Sequence, residues 1–383
     1  MSIFRDIANL ISNTGGKKSE KIFVYKIYKH GKLTWLVDTT ATSASFLHLY
    51  SANTTKAKIF KLIMKLIWAF KVPGFFFKKE EISYSKRSFI GELFSKPISE
   101  FSLFTGTVGE NRKLVVYFRY MGKGQFVKFP FGSESQPLVE KEHKSLVYLN
   151  ELNLSSILVP SITHKKTFTM ISDVCDQKSV TYDVLDSRAF SFCEELISKT
   201  LTLKSFISLD NDFGISSEIQ SIIHDLKFTS DVRLKNIMTS LINSTLKLVE
   251  NLDDDFKVSS TYSHGDFTPW NSFSTRSQLA LIDWELSGNY PVFFDLIHFT
   301  VSKNALLGEL KLDLIGSELL VIKKTLIERG SLIIKDEHFH IYIRLYSVIS
   351  IALYGKKFLM QDNQLHEQAY VLLKVWESLL SYE

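Results

Sequence analysis

The stretch SHGDFTPWNSF, residues 263–273, and the segment LALIDWELSG at 279–288 decide the fold. Three polar groups, Asp266, Asn271 and Asp283, stand there among Phe, Trp, Leu and Ile. A solvated loop does not need so much apolar packing, and a core strand does not hold two carboxylates unless they have partners. The order is an Asp, an Asn five residues on, and a second Asp closing the short strand LALID. This set suits phosphoryl transfer. An Asp beside an acceptor hydroxyl takes its proton, while an Asn oxygen and a second carboxylate suit hard Mg2+, which bridges nucleotide phosphates. Asp266 is the candidate base, Asn271 a candidate catalytic residue and metal ligand, and Asp283 the candidate anionic metal ligand.

Such chemistry needs a Lys for the α- and β-phosphates and a Glu to orient it. Lys128 lies in QFVKFPF, residues 125–131, an otherwise largely apolar strand. A Lys buried there needs a carboxylate. Glu140 and Glu142 both lie on the helix predicted over SESQPLVEKEHKSLVYLNEL, residues 133–152, with a Ser cap candidate and Pro137 in its first turn. Helical spacing places Glu142 on a face with Leu138, Leu146 and Leu149, and Glu140 on the wet side with Lys144 and Glu151. Glu142 is the expected partner. The loop TGTVGENR, residues 105–112, offers Thr105, Gly106, Thr107 and Gly109 as a phosphate cradle, without the fuller glycine pattern of protein kinases.

Working outward, ISEFSLF, KLVVYFRY and QFVKFPF read as a three-strand meander with a turn at MGKG. ILVPSITH and TFTMISDV read as two more strands. After residue 173 the chain turns helical: SRAFSFCEELISKTLTLKSFI (187–207), SSEIQSIIHDLKF and VRLKNIMTSLINSTLKLVENL each carry the helical period. Before residue 98, KIFVYKIY and LTWLVDTT flank the turn KHGK. KAKIFKLIMKLIWAF (56–70) then reads as a helix with Lys58, Lys61 and Lys65 in one stripe and Phe60, Leu62, Ile63, Leu66, Ile67 and Trp68 over the rest. Its apolar body, Leu62 and Leu66 included, is expected to pack on the adjacent sheet. Peripheral contact of residues 56–79 with an anionic membrane is the alternative.

HGDFTPWN and IDWE resemble the catalytic loop and metal-binding segment of the aminoglycoside phosphotransferase and choline kinase family. PVFFDLIHF resembles the helix that follows them, and the motifs cover residues 98–300. The resemblance implies an α+β, two-lobed protein-kinase-like fold: a sheet-rich N-lobe at 98–172, a larger helical C-lobe at 173–383, and an unexplained N-terminal extension at 1–97. It implies ATP and Mg2+ as cofactors and a small-molecule hydroxyl as acceptor. It also implies that Asp295 braces the catalytic loop, and it agrees with Glu142 as partner of Lys128. Adenine is expected against Met170 to Asp173. His264 is expected to be a structural hydrogen-bonder, Trp270 and Trp284 to be packing residues, and Glu285 either a metal-assisting group or a surface acid.

The 383 residues suit two or three folded units. Net charge is +5, which permits an anionic ligand or membrane surface and does not call for nucleic acid. Cys175 and Cys193 fit no metal or redox spacing, the N-terminus lacks a signal-peptide pattern, and no apolar run is long enough to span a bilayer. A cytoplasmic protein is expected, with membrane association as the alternative. Within the kinase reading, aminoglycoside inactivation is the alternative; a polycationic aminoglycoside would want an acidic cleft, so a sugar-like or amino-alcohol acceptor is preferred, with surface-glycan metabolism as one setting for it. A nucleotide-binding pseudokinase scaffold is the rival from another class, opposed by the intact Asp266, Asn271, Asp283 and Lys128.

Overall fold

The computed structural model describes residues 19–29, 31–49, 55–85, 98–106, 109, 111–164, 168–175, 180–252, 256–275, 278–306, 311–328 and 334–382. Two compact units emerge, Met1–Glu151 with Val159–Asp176, and Leu152–Leu158 with Gln177–Glu383.

The first unit is built on one antiparallel sheet. Its strands are β1 (Ser19–Lys29), β2 (Lys32–Asp38), β3 (Lys78–Ser85), β4 (Ile98–Phe104), β5 (Lys113–Tyr120), β6 (Lys123–Pro130), β8 (Ile162–His164) and β9 (Thr169–Ser172). They run in the order β3-β1-β2-β4-β5-β6-β9-β8. The meander closes as expected: Met121 and Gly122, both at positive φ, make the two-residue turn between β5 and β6. The expected border between residues 97 and 98 is corrected here. β2 pairs directly with β4, Trp35 opposite Phe104, so the hairpin before residue 40 extends the same sheet. A lone hairpin would leave an apolar face and an edge of N–H and C=O groups unmet, and β4 meets both needs.

Register aligns the two faces of this sheet. Trp35, Phe104, Val115 and Lys128 stand side by side on one face, and Leu36, Leu103, Val116 and Val127 on the other. The second row belongs to an aliphatic core with Phe101 and Phe118. On the first face, Trp35 and Val37 pack with Phe46, Met64, Ile67 and Trp68. The last three come from α1 (Thr55–Ala69), the helix expected from its lysine stripe. Its packing on the sheet is as expected, and so is the part of Ile67 and Trp68 in it; Met64 joins them, while Leu62 and Leu66, expected to be buried, are 58% and 46% exposed. The short α2 (Pro73–Phe76) follows, then α3 (Ser135–Leu152) after β6.

The second unit is mainly helical: α4 (Ser187–Thr200), α5 (Phe206–Phe213), α6 (Ile215–Asp225), α7 (Val232–Glu250), α8 (Phe294–Leu306), α9 (Leu312–Lys323), α10 (Phe339–Gln361) and α11 (Glu367–Leu380). The single helix expected over 187–207 breaks at Leu201, because Thr202–Ser205 form β11 and pair with β12 (Lys257–Ser263). β15 (Gly288–Pro291) completes that sheet. A second small sheet joins β10 (Val180–Thr181), β13 (Ser272–Ser274), β14 (Leu279–Leu281) and β7 (Ile157–Leu158). α10 is buried along most of its length, and Gly355 lets it approach α6 and α7: a Cβ there would lie 2.7 Å from Ile222 Cδ1. Among the described residues, no helix is long and apolar enough to cross a membrane.

Candidate active site

Within the second unit, β12 delivers the chain into residues 264–271, and the β13–β14 hairpin returns it to Asp283. The loop is held from behind. Asp295, in the first turn of α8, accepts the backbone N–H groups of His264 at 2.7 Å and Gly265 at 2.9 Å. Burial pushes the Asp295 carboxyl up, while His264 and these two N–H groups draw it back. The bracing role implied for Asp295 is thus present as geometry. Gly265 sits at φ 78°, and a Cβ there would lie 2.3 Å from the Leu286 carbonyl oxygen, so the turn requires glycine.

His264 is fully buried and structural. Its Nε2–H donates to the Ile282 carbonyl at 2.9 Å, and its Nδ1 accepts the Asp266 N–H at 3.2 Å. Its ring packs on Trp284, a buried residue whose Nε1–H donates to Leu281 O. The Ile282 N–H donates to the Asn271 carbonyl at 3.1 Å. Both backbone groups of Ile282 are therefore anchored to the loop, which fixes Asp283 relative to Asp266 and Asn271. Asp283 itself, two residues past the end of β14, is left-handed, with φ 67° and ψ 59°. Asp tolerates this region better than most residues, and sparsely populated backbone of this kind gathers at functional sites. Glu285 is half-buried on the turn that follows, and Trp270 is half-buried beside the loop.

Asp266 is gripped from two sides. Asn271 Nδ2–H donates to its Oδ2 at 2.8 Å, and His298 Nε2–H donates to its Oδ1 at 3.1 Å. His298 Nδ1 in turn accepts from the Tyr346 hydroxyl at 3.2 Å, a phenol that burial pushes up and keeps protonated. The Asp266 side chain remains 26% exposed, so it is oriented yet reachable. With its amide nitrogen turned to Asp266, Asn271 has its Oδ1 for a cation, and Asp283 supplies a carboxylate. A neutral oxygen and an anionic oxygen fit Mg2+. His298 was not singled out from the sequence. It lies three residues after Asp295, on the same helix face, and that spacing was the available signal.

In the first unit, Lys128 Nζ donates to Glu142 Oε1 at 2.7 Å, and Glu142 is 2% exposed. Glu140 is exposed and receives Gln136 instead. The helix face holding Glu142 carries Val139, Leu146 and Leu149, with Leu138 only partly covered. Of the candidate cradle, Thr105 is buried: its hydroxyl donates to Leu33 O at 2.8 Å, so that hydroxyl already serves the fold. Gly106 is required by sterics, since a Cβ would lie 2.2 Å from Lys113 O. Gly109 stands at φ 155° with open space around it. Thr107 lies outside the described residues. At the expected adenine-binding segment, Met170 is buried and Asp173 is engaged, accepting the Cys175 N–H and lying 3.4 Å from His48. The His48 ring stacks on Tyr117 at 4.4 Å and 6°.

No protein-family model matches the sequence, and no curated protein matches it. Solved structures do. A thermostable mutant of aminoglycoside phosphotransferase APH(4)-Ia, in ternary complex with AMP-PNP and hygromycin B, aligns with a TM-score of 0.50 at 12% identity, over 76% of this chain and 97% of that one. Choline kinase LicA from Streptococcus pneumoniae aligns over 70% of this chain and 90% of that one, at 16% identity and a TM-score of 0.44. With its sheet-rich first unit and helical second unit, this chain has the α+β fold of the aminoglycoside phosphotransferase.

Proposed function

We propose that the protein is an ATP- and Mg2+-dependent small-molecule kinase that phosphorylates a hydroxyl of a sugar-like or amino-alcohol acceptor. The observation that carries this reading is the Asp266 carboxylate, held by Asn271 and His298 and still open to solvent. In the reaction, the acceptor oxygen bonds to the γ-phosphorus, the bond from that phosphorus to the β–γ bridging oxygen breaks, and the acceptor proton passes to Asp266 Oδ. Lys128, oriented by Glu142, holds the α- and β-phosphates. Asn271 and Asp283 would hold Mg2+, which would neutralise phosphate charge. The nucleotide and hygromycin B carried by the neighbour of like fold agree with one nucleotide and one small acceptor. A net charge of +5 favours a neutral or anionic sugar over a polycation.

The test is a panel of sugars, amino alcohols and aminoglycosides incubated with purified protein and γ-labelled Mg-ATP. Label should pass to an acceptor of the first two classes, and Asp266→Asn should remove most of that transfer. Tight Mg-ATP binding with no transfer to any acceptor would instead establish a nucleotide-binding scaffold.

A further inference from the structure

The outer face of α1 is exposed and largely apolar. With Met64, Ile67 and Trp68 locked into the sheet core, the helix cannot roll to hide its remaining apolar side chains. Ile59, Leu62, Ile63 and Leu66 form one exposed stripe at helical spacing, extended past the helix end by Phe70, 73% exposed, and Phe75, 88% exposed. Large apolar surface of this extent in water is costly and marks an interaction site. Charge identifies the occupant. Between Lys56 and Lys79 the chain has seven lysines and no acidic residue. Lys58, Lys65 and Lys71 are exposed along the stripe and at its end. A second copy of this chain docking face to face would set these lysines against one another. A surface both apolar beneath and anionic above matches the stripe and its rim, as an acidic bilayer does for interfacial amphipathic helices.

We propose that residues 56–79 dock the protein peripherally on an anionic lipid bilayer, with Leu62, Leu66, Phe70 and Phe75 entering the headgroup and acyl boundary and the lysines engaging the headgroups. The contact is peripheral, since no helix among the described residues is suited to span. It is independent of the reaction proposed above, because none of these residues takes part in it.

The experiment uses the full chain and co-sedimentation with phosphatidylcholine vesicles, with and without phosphatidylglycerol. Binding should need phosphatidylglycerol and weaken with salt. The double variant Lys58→Gln with Lys65→Gln should bind less by roughly fivefold for each lysine removed. The triple variant Leu62→Gln, Phe70→Ser and Phe75→Ser should lose binding while keeping its melting temperature and its turnover of any soluble acceptor. Equal binding of the triple variant and wild type, or no preference for phosphatidylglycerol, overturns the proposal. So does a wild-type dimer in solution that the triple variant dissolves, which would make the face a contact between copies.

Discussion

The loops at 264–271 and 105–112 both carry polar side chains, and each contains a glycine, Gly265 and Gly106, that a close backbone approach makes obligatory. They differ in where their polar groups point. In the first, the backbone is held by Asp295, and the side chain of Asp266 is gripped by Asn271 and His298 while keeping a solvent-facing edge. In the second, Thr105 turns inward to the Leu33 carbonyl, and Arg112 Nε donates to the Thr105 carbonyl, so the described polar contacts close the loop on its own sheet. A reactive group needs support behind it and freedom in front. A hydroxyl satisfied by backbone has neither role to fill in chemistry.

The strongest way to break this contrast is Asp266→Asn. Turnover should fall about 10²- to 10⁴-fold, with Mg-ATP affinity and thermal stability near wild type. Steady-state kinetics and calorimetric titration check it, and near-normal turnover with the true acceptor would falsify the assignment of the base. Next comes Glu142→Ala, which asks whether the first unit has a braced group of its own. Removing the carboxylate from a buried pair should cost about 3–5 kcal/mol in denaturant unfolding. Glu140→Ala should stay within about 0.5 kcal/mol. A reversed ranking would undo the argument from helical faces.

His298→Phe sharpens the contrast further, because it removes one grip on Asp266 and leaves the carboxylate in place. The turnover number should drop by up to roughly 100-fold with Mg-ATP binding unchanged, as expected for a positioning residue. Partial recovery in His298→Gln, which can still donate to Asp266, would separate this from a packing defect. The smallest effect is expected for Thr105→Val. Stability should fall by about 1 kcal/mol through the lost hydrogen bond, and kinetics should not change. A large rise in the KM for ATP would show that the Thr105 hydroxyl meets phosphate after all.

Much of the site was legible because its signals are local. The spacing of Asp266, Asn271 and Asp283 lies within one loop and hairpin, and the choice of Glu142 over Glu140 follows from the 3.6-residue period of a single helix. His298 escaped because its partner, Asp266, is 32 residues away, and the three-residue spacing from Asp295 gives a shared helix face without naming that partner. The break at Leu201 escaped for a similar reason. Residues 187–207 read as one helix until β12, more than 50 residues on, offers Thr202–Ser205 a strand partner.

The sequence by itself determined the strand and helix periods, the turn chemistry at Met121–Gly122, the Lys128–Glu142 pairing and the order of polar groups around Asp266. Only the tertiary structure decided that β1, β2 and β3 share a sheet with β4, that α1 buries Met64, Ile67 and Trp68, and that Leu62 and Leu66 face outward. The physical reason is that α1 is apolar around most of its circumference, so its own period does not select one face. The row of Trp35, Val37 and Phe46 beneath it makes that selection, through packing between segments that local sequence does not connect.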